Sequence, residues 1–81
     1  MTKKYVKKFS NVNTSELREV IKLLDKEITE MKNAPVKAGN DFIEKLKKNT
    51  AIYKVHCLGN DYKAQITNHE FDVTVFVKRV Q

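Results

Sequence analysis

An α+β domain, with a three- to four-stranded antiparallel sheet packed on one long helix, is the fold that the sequence predicts. Apolar residues recur at helical spacing between residues 14 and 32, and from Ala51 onward the period changes to two. Turn residues interrupt the second pattern at "GND" and again at "NHE", which divides it into strands of a meander. There is no repeat, linker or composition break, so residues 1–81 read as a single domain.

The first ten residues, "MTKKYVKKFS", set Tyr5, Val6 and Phe9 among lysines. They suit a short edge strand, where lysines discourage unwanted pairing, and equally a disordered start that runs into one. The helix comes next. Leu17, Val20, Ile21, Leu24, Ile28 and Met31 form one apolar stripe. Asn13 and Glu16 have the spacing of a capping box, and Val12 and Leu17 that of a hydrophobic staple. "NAP" closes the helix, because the residue before Pro35 is biased away from helical geometry. Asp41 and Glu44 repeat the cap signal ahead of Phe42, Ile43 and Leu46, enough for one or two turns that must lean on something larger.

In the meander Tyr53, Val55 and Cys57 alternate with Lys54 and His56, and Tyr62, Ala64 and Ile66 with Lys63, Gln65 and Thr67. Phe71, Val73, Val75 and Val77 alternate with Asp72, Thr74, Phe76 and Lys78. Packing the apolar sets on the helix gathers Lys54, His56, Lys63, Gln65, Thr67, Phe76 and Lys78 on the other face, with Arg79 at the strand end.

The formal net charge is +6, from 16 basic and 10 acidic side chains, which favours an anionic partner over an uncharged one. So small a domain has little room for an enclosed pocket and is expected to act through a surface. One cysteine, Cys57, excludes an internal disulfide, and no apolar run approaches the length of a membrane span. With no secretion-signal pattern at the basic N-terminus, a cytoplasmic protein is expected. His56 and Cys57 are adjacent on a strand and point to opposite faces, so no metal site and no cofactor are expected there.

A cationic sheet face with one aromatic suits RNA, since lysines meet phosphates and a ring stacks on an unpaired base. His56 is the side chain there that exchanges a proton near neutral pH. A plain solvated face is the alternative reading of the same pattern.

The stretch "FIEKLKKNTAIYKVHCLGNDYKAQI…DVTVFVKRVQ" resembles the RelE/ParE superfamily of small bacterial toxins, closest to its HigB and phage-protein branch. The elements that carry the likeness span about residues 14–81: the helix ending near Pro35, Lys45-Leu46-Lys47, Tyr53-Lys54-Val55-His56, Asp61-Tyr62-Lys63 and Phe76-Val77-Lys78-Arg79. The resemblance implies a meander cupped around helix and a ribosome-dependent mRNA endonuclease, with mRNA, the ribosome and an antitoxin or acidic protein as partners. It implies His56 as proton carrier, Lys54, Lys63 and Arg79 as catalytic electrostatic stabilisers, and Lys54, Lys63, Phe76, Lys78 and Arg79 as RNA contacts. This sequence departs from the family in having room for one long helix where two are usual, in lysine at residue 63 where arginine is common, and in stopping at Gln81, before the further acid, histidine or tyrosine of many active members. Those departures weaken the enzymatic part; the main rival is a non-catalytic phage or mobile-element protein that binds and inhibits a host protein, and a further one is a gyrase-directed ParE-like toxin.

Overall fold

The computed structural model describes residues 3–80. Met1, Thr2 and Gln81 lie outside them, and so do the first two residues of the expected basic start and the last residue of the expected domain. The described chain runs β1 (Lys4–Ser10), α1 (Thr14–Leu23), α2 (Asp25–Asn33), α3 (Phe42–Lys48), β2 (Thr50–Cys57), β3 (Asn60–Asn68) and β4 (Asp72–Val80).

The four strands form one sheet in the order β1-β4-β3-β2. The expected antiparallel sheet is corrected to a mixed one: β2, β3 and β4 are antiparallel, whereas β1 lies parallel to β4. The residue pattern of an edge strand carries no sign of its direction. Here direction follows from the path of the chain, which crosses the helices and the meander before returning beside β1.

The single long helix is corrected as well. It divides at Leu24, whose backbone (φ −105°, ψ 8°) leaves helical geometry and whose N–H reaches back three residues to Ile21 O at 3.1 Å. Regular bonding resumes at once, with Ile28 N–H donating to Leu24 O at 2.9 Å. α1 lies against β2, and α2 against β3 and β4. The i→i−3 bond at Leu24 is a single tight turn between the two helical segments.

The apolar stripe is where its spacing put it. Leu17, Val20, Leu24 and Ile28 are buried against Tyr62, Ala64, Ile66, Val73, Val75 and Val77, with Ile21 and Met31 packed at the margin. Both caps form: Asn13 Oδ1 accepts from the Glu16 N–H at 2.8 Å, and Asp41 Oδ1 from the Glu44 N–H at 2.7 Å. α3 buries no residue, and Phe42 and Ile43 stand exposed. What holds it is Asn49, which caps its end and donates to Lys45 O at 2.7 Å and Lys37 O at 3.0 Å. The same side chain accepts from the Lys37 N–H at 2.7 Å, so one buried amide ties the loop, the helix and the start of β2 together. Phe71, expected among the buried residues of the last strand, precedes β4 and is exposed.

Candidate nucleic-acid interface

β-strand alternation and register decide which side chains share the face away from the helices. On β2 the burial alternates residue by residue, with Lys54 and His56 outward and Tyr53, Val55 and Cys57 inward. Cross-strand partners share a face. Lys54 pairs with Lys63, and Lys63 pairs with Lys78, so lysines of three adjacent strands stand side by side in one row. Neighbouring strands lie about 4.8 Å apart, and like charges set directly opposite repel. The row therefore costs the sheet some stability.

The row above it holds His56, Asp61 and Val80. Asp61 is a strand residue because the β2–β3 turn is Leu58-Gly59, at φ 52° and 77°, rather than the expected "GND". Two successive residues at positive φ make the two-residue hairpin turn whose twist matches the strands. Asp61 falls opposite His56, and its Oδ1 is 2.7 Å from His56 Nδ1. Both side chains are more than two-thirds exposed, so the pair adds little to stability. With the ring neutral and its proton on Nδ1, this contact is a hydrogen bond donated to Asp61 and leaves Nε2 as an acceptor. An open concavity of about 490 Å³ lies among Lys54, His56, Asp61, Lys63 and Val80.

The row below the lysines holds Ile52, Gln65, Phe76 and, from β1, Lys8. Phe76 is half-buried beside Gln65 and Lys8. Lys8 joins this face only through the β1–β4 pairing, which local pattern does not reveal. Arg79 lies at the strand end, as expected. It pairs with Tyr62 and therefore belongs to the helix-covered side, at its exposed end. The expected set thus divides, with Lys54, His56, Lys63, Phe76 and Lys78 on one face and Arg79 on the other.

Cys57 sits half-buried on the helix side, away from His56. His69 lies in the β3–β4 turn, 4.0 Å from Asp72. Among the described residues no three His, Cys, Asp or Glu side chains converge as a metal site, and no helix is long and apolar enough to cross a membrane. Comparison with protein-family models, with curated proteins and with solved structures returns no match.

Proposed function

We propose that this is a toxin-like, RNA-directed protein that cleaves mRNA during translation, with the open sheet face as its RNA surface. The observation that carries the proposal is the cross-strand lysine row, Lys54-Lys63-Lys78, lying next to the His56–Asp61 pair. RNA cleavage by its own 2′-hydroxyl needs a proton acceptor for that hydroxyl, a proton donor for the leaving oxygen, and positive charge beside the phosphorane. His56, held through Nδ1 by Asp61, takes the 2′-hydroxyl proton at Nε2, and the imidazolium so formed returns a proton to the leaving oxygen. Lys54 and Lys63 supply the charge. Arg79 has no part in this scheme. Translation as the setting, and an antitoxin or acidic protein as the partner that masks the face, come from the resemblance to RelE-type toxins.

A non-catalytic reading is favoured by one specific feature. His56 is the only imidazole in the lysine and histidine rows, so the leaving-group proton has no second imidazole to carry it there. On that reading the same face binds an anionic host partner. Primer extension on a translated mRNA separates the two. New stops at codon positions, lost in His56→Ala and weakened in Lys63→Gln, are the expected result; intact message during normal translation overturns cleavage and leaves the binding module. A DNA-damage response without loss of message would point instead to the gyrase-directed reading.

A further inference from the structure

Below the lysine row lies a second concavity, of about 330 Å³, lined by Lys8, Gln65, Thr67, Thr74 and Phe76. We infer that it is a nucleobase subsite, in which one unpaired base of a single strand stacks on Phe76 and meets Gln65 at its edge. The inference rests on the RNA reading of this face and adds to it a place for a base, which electrostatics alone does not require.

Three features of the site point to a base. Phe76 offers the one aromatic ring among the lysines of this face, with the exposed Ile52 in the same row, and base stacking on such a ring is insensitive to sequence. Gln65 is its direct cross-strand neighbour and carries both a donor and an acceptor, the pair that a base edge presents. The floor is already satisfied: Thr67 is buried, and its hydroxyl lies 3.2 Å from that of Thr50, which leaves Gln65 and Thr74 as the groups facing an incoming edge.

Spacing ties this subsite to the lysines. Phe76 and Lys78 are two residues apart on β4, as are Gln65 and Lys63 on β3, a separation of about 6.6 Å along the strand. A phosphate held by Lys63 and Lys78 thus has a base of the same or the adjoining nucleotide within reach of Phe76. Lys8 stands beyond Phe76 on β1, where the backbone of the strand continues. Paired bases are stacked and their edges engaged, so the subsite selects single strands over duplex.

The test is fluorescence anisotropy of the full chain with labelled 2′-O-methyl oligonucleotides, which lack the nucleophile and cannot be cut. One oligomer carries bases, and the other is abasic throughout with the same number of phosphates. The base-bearing strand is expected to bind about tenfold more tightly. Phe76→Leu removes that advantage without changing affinity for the abasic strand. Phe76→Tyr, which keeps the ring, retains it, and Gln65→Ala loses part of it. Equal affinity of the wild-type protein for the two oligomers overturns the subsite while leaving the cationic row intact, since Lys63→Glu would still abolish both. Failure of the wild-type protein to bind either oligomer overturns the subsite and the RNA reading together.

Discussion

Tyr62 is among the largest fully buried side chains, yet its hydroxyl has no hydrogen-bond partner among the described residues. Buried with it and likewise unpaired is Glu16 Oε2, from the first turn of α1. Burial, and then the Glu16 carboxylate, push the phenol above its ordinary value of 10.0, against smaller opposing effects of Asn60 and Arg79. Tyr5 is shifted the same way, first by burial and then by Asp25. The sign follows from linkage. An acid whose folded value is raised binds its proton more tightly when folded, so its contribution is fully present below about pH 10 and is lost as pH rises past that point. Tyr62→Phe should therefore be no less stable than wild type near pH 7, and should fall away less steeply above pH 10. Urea unfolding of the two proteins across the alkaline range checks this. Parallel curves would mean that the phenol is solvated in the folded state.

At the scale of the element, the β2–β3 turn decides the register and hence the site. Gly59 accepts positive φ without cost, but Leu58 at φ 52° is a bulky residue in the left-handed region, where an L side chain costs roughly 1–2 kcal/mol. The Leu58 side chain is exposed, so little packing offsets that cost. Leu58→Asn, which makes the preferred Asn-Gly pair, is expected to stabilise the fold by about 0.5–1 kcal/mol in urea unfolding. Gly59→Ala should destabilise it by about as much. If Leu58→Asn were destabilising, Leu58 would have a contact beyond the hairpin. The same turn explains why the His56–Asp61 pair was hard to foresee: with "GND" as the turn, Asp61 is a loop residue and has no strand partner. The helix break is comparable. Leu23-Leu24-Asp25 contains neither proline nor glycine, so the break carries no local sequence signal.

For the molecule as a whole, a net charge of +6 and a row of three cross-strand lysines set stability against binding. Exposed charge pairs are worth about 0.2–1 kcal/mol, which becomes a cost where like charges stand opposite, and Lys63 stands in both pairs of the row. Lys63→Gln should therefore raise stability by about 0.5 kcal/mol or more at low ionic strength. The gain should shrink at about 0.5 M salt, where the screening length falls below the lysine spacing. Denaturant unfolding at two salt concentrations measures it. A variant no more stable than wild type at low salt would show that the three ammonium groups splay apart into solvent.

Local physics was legible in the sequence. The caps at Asn13 and Asp41, the stripe from Leu17 to Ile28 and the alternation over Tyr53–Cys57, Tyr62–Ile66 and Val73–Val77 each depend on residues within a turn or two of one another, and each formed as spacing predicts. It also put Lys54, His56, Lys63, Phe76 and Lys78 on one face. Tertiary structure decided what lies between segments: the parallel β1, the break at Leu24, the entry of Lys8, the exit of Arg79 and the meeting of His56 with Asp61. Those depend on strand order and register, which no short window of sequence carries, because shifting a turn by one residue changes every partner across the hairpin.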